Sequence, residues 1–195
     1  MPQASSDPAH SKLRRQIAYE AAMLLYQRHE SEYYRAKMKA ARRVCKGWVK
    51  PADLPSNAEI RDQVFSLTRT FESETHADEL QEMRVEAMRM MRLLANFKPK
   101  LIGSVLTGHI RRGSDIDLHV FCNSPSAVAT VLEQEGLVFD AERKVVTKHG
   151  ETRTYHHLHV RDRFPTELTI YPANKSGYAF KSSVTGKTME SATLP

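Results

Sequence analysis

From Asp115 to Val120 polar and apolar residues alternate without a break. On an extended chain Ile116, Leu118 and Val120 face one way, while Asp115, Asp117 and His119 face the other. A short apolar run, Leu101-Ile102, precedes this strand; between them lie a turn at Gly103-Ser104 and a basic segment punctuated by Gly108 and Gly113. Upstream the period is helical. Leu13, Ile17, Ala21 and Leu24 recur on one helix face from about Ser11, an N-cap candidate. The spacing continues through Tyr33, Met38, Ala41 and Cys45 towards Lys46-Gly47, so one long helix is expected. A proline-bounded loop covers residues 50–56. A second helix then starts after Ser56 or Asn57, with Glu59 in its first turn, and buries Ile60, Val64 and Leu67. A third, from about Thr75, buries Leu80, Met83, Ala87, Met90 or Met91, and Leu94; its methionine stripe reads as core packing.

Beyond the alternating strand, Ser124-Pro125 has the form of an N-cap followed by proline at the first helical position. That helix should run to about Glu135 and stop at Gly136, with strands following near residues 137–139, 144–147, 152–161 and 165–171. The pattern predicts an α+β protein: a small mixed sheet with helices on one face, preceded by a helical region. The expected divisions are a disordered stretch over 1–10, helices over 11–95, a sheet-bearing core over 96–172 and a loosely ordered basic tail over 173–195.

The polar face of the alternating strand carries the candidate chemistry. Asp115 and Asp117 stand ~7 Å apart at Cα, so their carboxylates can converge on one metal or on a metal pair. Glycine at Gly103 allows close backbone approach to a ligand, and turn N–H groups with the Ser104 hydroxyl can cradle phosphate. A phosphate site beside a divalent-metal site is the equipment of phosphoryl or nucleotidyl transfer. In the last strand Leu168 and Ile170 form the apolar side, so Glu167 and Thr169 share the other.

The run Gly103-Ser104, Gly108, Gly113-Ser114-Asp115-Ile116-Asp117 resembles the signature of the DNA polymerase beta-like nucleotidyltransferase superfamily, in particular its small minimal members. That signature is an apolar residue, Gly-Ser, a spacer, and Asp-x-Asp flanked by apolar residues. The resemblance implies a palm-like sheet and transfer of a nucleoside monophosphate from a nucleoside triphosphate, with ATP the favoured donor, to an acceptor hydroxyl. It implies Mg²⁺ or Mn²⁺ held by Asp115, Asp117 and a third acidic residue on a neighbouring strand, for which Glu167 is the candidate. Here the sequence departs from the pattern, because Thr166 rather than an aliphatic residue precedes Glu167; Asp162 and Asp140 are the competitors. Gly103, Ser104 and Ser114 would hold the nucleotide, with Arg111 or Arg112 neutralising its phosphates. The acceptor is left open among RNA, a protein hydroxyl and a small molecule. The alternative is a catalytically inactive nucleotide- or RNA-binding module on the same fold.

Composition narrows the partners. The formal net charge is +6, which favours an anionic partner such as nucleotide or nucleic acid. Arg35, Lys37, Lys39, Arg42, Arg43 and Lys46 form a basic cluster. It reads as a solvated helix face, or as a nucleic-acid contact with Tyr33, Tyr34 and Trp48 for stacking. The two cysteines, Cys45 and Cys122, are too few for a disulfide framework. No apolar run has the length of a membrane span, and a cytoplasmic location is expected. His156, His157 and His159 invite a zinc reading, but structural zinc takes four ligands, so a wet strand face is preferred. His119 either contacts nucleotide, orients a carboxylate, or simply neighbours Thr169 across the sheet. Gly186-Lys187-Thr188 does not complete a phosphate loop, because Lys181 stands where the first glycine is required.

Overall fold

The structure is a computed structural model, and it describes residues 8–71, 76–148, 151–182 and 184–194. The expectations placed on residues 1–7, Thr75 and Ser183 fall outside the described residues. Chain contacts divide the described residues into two compact units. One holds 8–71 with 182 and 184–187; the other holds 76–148 and 151–181 with 188–194.

The first unit is helical: α1 (Pro8–Tyr26), α2 (Tyr33–Val44) and α3 (Asn57–Phe71). The long helix expected over 11–46 is two helices, and it begins before Ser11, so Ser11 is no N-cap and 8–10 are helical. The chain leaves the helix at Arg28, whose φ of 57° is left-handed. Glu30 then pairs with Lys39 at 2.9 Å and with Arg35 at 3.5 Å, tying the turn to α2. Ile17, Ala21 and Leu24 of α1 meet Ala36, Ala40 and Ala41 of α2 and Ile60 and Leu67 of α3, all buried. Leu24 and Tyr33 are nine residues apart, about two and a half helical turns, so the apolar stripe changes face across the turn. Lys39 with Glu30, and Arg43 with Glu20 at 2.7 Å, draw part of the basic cluster into local ion pairs, while Tyr34 and Trp48 stay exposed. At the start of α3, Ser56 Oγ accepts from the Glu59 amide at 3.2 Å, and Glu59 Oε2 accepts from the Ser56 amide at 2.8 Å. This is a capping box. The hydrogen bond from Arg14 holds the Glu59 carboxyl down at about 2.

The second unit runs α4 (His76–Leu93), β1 (Lys100–Ile102), α5 (Gly103–Thr107), β2 (Ile116–Phe121), α6 (Pro125–Gln134), β3 (Val138–Lys148), β4 (Glu151–Arg161) and β5 (Thr166–Tyr171). α4 therefore belongs with the sheet, not with the helices before it. The five strands form one mixed sheet in the order β1-β2-β5-β4-β3. β2 and β5 are parallel and the other neighbours antiparallel. This is the α+β architecture that the sequence pattern predicts. β3 is one continuous strand rather than two short ones, paired along its length with β4. Ser124 sits at the N-cap of α6 without a side-chain capping bond; its hydroxyl bonds Ser126 Oγ at 2.8 Å instead.

The core lies on one face of the sheet. Met83, Ala87, Met90, Met91 and Leu94 of α4 and Val128 and Leu132 of α6 pack on Ile116, Leu118, Val120, Leu158, Val160, Leu168 and Ile170. The opposite face carries Asp117, His119 and Phe121 of β2, Glu167, Thr169 and Tyr171 of β5, and His157 and His159 of β4. The C-terminal segment is not a loose tail. Ala192 pairs with Leu101, and Phe180 lies against His119, Phe121 and Tyr171.

Candidate functional site

The chain leaves β1 at Gly103 with φ +71°, a left-handed conformation that favours glycine. A Cβ placed there would stand 2.2 Å from Asp117 Oδ2. The close approach foreseen at Gly103 is thus made by a carboxylate of the protein itself. From Gly103 the backbone turns into α5, whose second residue is Ser104. Arg84 of α4 secures the far end of that helix by donating to the carbonyls of Val105 at 3.1 Å and Leu106 at 3.0 Å. Gly108, with φ +78°, ends α5. The chain then passes the buried Ile110 and turns over 111–114. Ser114 closes this turn: its amide donates to the Arg111 carbonyl at 2.8 Å and its hydroxyl accepts from the Arg111 amide at 3.0 Å. The Ser114 hydroxyl expected on nucleotide is committed to the loop backbone. Arg112 is exposed in the same turn.

Asp115 is exposed one residue before β2, and Asp117 is the second residue of that strand. In the parallel register of β2 and β5, Asp117 stands directly beside Glu167. Burial pushes the Asp117 carboxyl up to about 7, and the negative charges of Glu167 and Asp115 add to the shift. The fold therefore gathers Asp115, Asp117 and Glu167 beside Gly103. The two competing carboxylates are engaged elsewhere, Asp162 with Arg89 and Asp140 with Arg161.

Glu167 does not point at Asp117 alone. Its Oε1 lies 2.6 Å from His157 Nδ1, and the same nitrogen is 3.4 Å from Thr169 Oγ1. The His157 and His159 rings stack at 6.2 Å, and His159 Nε2 lies 3.3 Å from Glu142 Oε2. These histidines are more than the wet strand face read from the sequence. Their alternation was visible, but the adjacency of β4 and β5 that brings His157 to Glu167 was not.

His119 does neighbour Thr169 across the sheet. It is buried, in edge-on contact with Tyr171 at 4.7 Å and Phe180 at 4.9 Å. Burial first, then the nearby positive charge of Lys100, pushes its imidazole down to about 4, so the ring is neutral near pH 7. Lys100 lies 5.5 Å from the Phe121 ring centroid and donates to the Ser176 carbonyl at 2.6 Å.

Whether the site suits a divalent cation follows from its donors. Three carboxylates crowd one strand end, and one of them is buried enough to hold its proton near neutrality; a hard dication supplies the missing positive charge. Among the described residues no group of three or more His, Cys, Asp or Glu side chains is already arranged around a common ion position. Asp115, Asp117 and Glu167 supply oxygen donors of the kind a hard dication takes.

No family model matches the chain, and no curated protein sequence matches it. A solved structure described as the structure of GLD-2/RNP-8 complex is similar at 15% identity and TM-score 0.30. The similarity covers 53% of this chain and 48% of that one, so this chain spans about half of its length. A likeness of this depth carries nothing about activity. Among the described residues no helix is long and apolar enough to cross a membrane.

Proposed function

We propose that the protein is a metal-dependent nucleotidyltransferase that moves a nucleoside monophosphate, AMP first among them, from a nucleoside triphosphate to an acceptor hydroxyl. The observation that carries this reading is the pairing of Asp117 with Glu167 in register, beside a glycine that touches the Asp117 carboxylate, with Asp115 next to them. Asp115 and Asp117, with Glu167, would hold Mg²⁺ or Mn²⁺. Such an ion, when bound, supplies Lewis-acid neutralisation of the triphosphate and lowers the pKa of a hydroxyl.

The protein's own groups divide the remaining work. Gly103 and Ser104 present backbone and hydroxyl to the phosphates, and Arg111 or Arg112 neutralises them from the following turn. The acceptor oxygen attacks the α-phosphorus in line, its proton passes to a site carboxylate, and pyrophosphate leaves. His157 fixes the Glu167 carboxylate by its 2.6 Å hydrogen bond, so that this group need not be ordered during the reaction. Glu167 is the group we assign to take the proton, because its hydrogen bond to His157 holds it in one orientation beside Asp117.

The test is incubation of the full chain with each α-³²P-labelled nucleoside triphosphate, Mg²⁺ or Mn²⁺, and cell extract. Label entering RNA, protein or a small molecule, and lost in Asp115→Ala/Asp117→Ala, is the expected result. A second reading is a binding module without turnover, favoured by the engagement of Glu167 with His157. Nucleotide binding by thermal shift with no label transferred would establish it instead.

A further inference from the structure

At the end of β5 remote from Glu167 lies a cavity of about 430 Å³. Tyr155, Tyr171, Tyr178 and Phe180 wall it, with Thr154 and Lys175 as its polar groups. The rings hold one another in place: Tyr171 and Phe180 at 4.4 Å, Tyr178 and Phe180 at 4.9 Å, and Tyr155 and Tyr171 at 6.0 Å between centroids. Lys175 Nζ stands 4.8 Å from the Tyr178 ring centroid. Tyr178 is 53% exposed and forms the open side. Burial raises the Tyr171 phenol to about 12, so this wall stays uncharged. None of these residues was marked by the sequence, because β4, β5 and the C-terminal segment supply them separately.

Flat rings around a volume of this size take a planar aromatic group, and a lysine at the rim takes an anion attached to it. A nucleobase with its phosphate has both parts. The position decides which nucleobase. Tyr171 is four residues along β5 from Glu167, a span of ~13 Å. A donor with its triphosphate at Asp115, Asp117 and Gly103 leaves this cavity to another chain. Glu167, Thr169 and Tyr171 share one sheet face, so a strand whose 3′ end lies at the carboxylates continues along that face towards the rings. Lys100, on the neighbouring β1, adds positive charge beside that path.

We propose that this cavity is a stacking site for a base of a single-stranded RNA acceptor, held upstream of the 3′ hydroxyl that receives the nucleotide. The assignment of the acceptor rests on the transferase reading; the binding site itself does not. Stacking on aromatic rings tolerates any base, so affinity should vary little among homopolymers and fall with salt.

The test uses the full chain in EDTA, with a 5′-fluorescein RNA hexamer followed by anisotropy. Tyr178→Ala should weaken binding about 5- to 100-fold, and Lys175→Glu should weaken it while reducing its salt dependence. Thr130→Ala, an exposed position on α6 away from both the rings and the carboxylates, should bind the hexamer as the unaltered chain does. That combination supports the cavity even where no nucleotide is transferred, in which case only the transferase reading falls. Two results overturn the proposal: hexamer binding unchanged in both Tyr178→Ala and Lys175→Glu, or no hexamer binding by the unaltered chain. Label transferred to protein by a chain that ignores the hexamer likewise overturns it and leaves the transferase reading standing.

Discussion

Replacing Gly103 by alanine tests the link between the β1–α5 turn and the carboxylates. Two effects add. An L-residue in the left-handed region costs about 1–2 kcal/mol. The new Cβ would also meet Asp117 Oδ2 at 2.2 Å, where ordinary contact begins at 3.4 Å. The carboxylate must therefore retreat by about 1 Å into an off-rotamer position, costing about 0.5–1.5 kcal/mol more. Gly103→Ala should lose about 2–3 kcal/mol in urea unfolding followed by circular dichroism, equivalent to a fall in Tm of ~5–10 °C at this chain length. Removing the obstacle separates the two effects. In an Asp117→Ala background the same substitution should cost only the backbone part, leaving a coupling of about 1 kcal/mol between the sites. Nucleotide transfer should fall ~100-fold in the single variant, because a displacement of about 1 Å at a reacting group has that effect. Equal destabilisation in both backgrounds, or full transfer by Gly103→Ala, would refute the packing of Gly103 on Asp117.

Further expectations concern the charged groups. With its carboxyl raised to about 7, Asp117 binds a proton in the folded state that the unfolded chain has lost by about pH 4. Stability should fall as pH rises between those values, and Asp117→Asn should match the unaltered chain at pH 4 and exceed it at pH 8. Adding Mg²⁺ at pH 8 should raise Tm in the unaltered chain but not in Asp115→Asn/Asp117→Asn. His119 behaves oppositely: its contribution is complete above about pH 6.5 and is lost as pH falls towards 4. Its ring nitrogens should still report a neutral imidazole by ¹⁵N NMR at pH 5.5, and a protonated ring there would overturn its burial under Tyr171 and Phe180. For the hydrogen bond to Glu167, His157→Ala should lower kcat for transfer about 10-fold or more, and His157→Gln should recover part of the loss. Equal rates in the two variants would deny His157 a positioning role.

Local patterns already determined much of this protein. Strict alternation set Asp117 and His119 on one side of β2 and the aliphatic residues on the other, because successive side chains of a strand have only two faces. The spacing of Met83, Ala87 and Leu94 marked the buried stripe of α4, and Ser56 with Glu59 marked the start of α3. What the chain could not show was neighbourhood. The break between α1 and α2 left only a shift of helical phase between Leu24 and Tyr33, and the packing of the two helices on each other left no signal. The order β1-β2-β5-β4-β3 depends on long-range pairing, and only that pairing sets Glu167 beside Asp117 and His157 beside Glu167. The cover over His119 comes from Phe180, distant in sequence from β2 and bound to it by ring packing that has no period to read. Face is a property of adjacent residues and was present in the sequence; which faces meet follows from burial and strand register, and only the tertiary structure decided it.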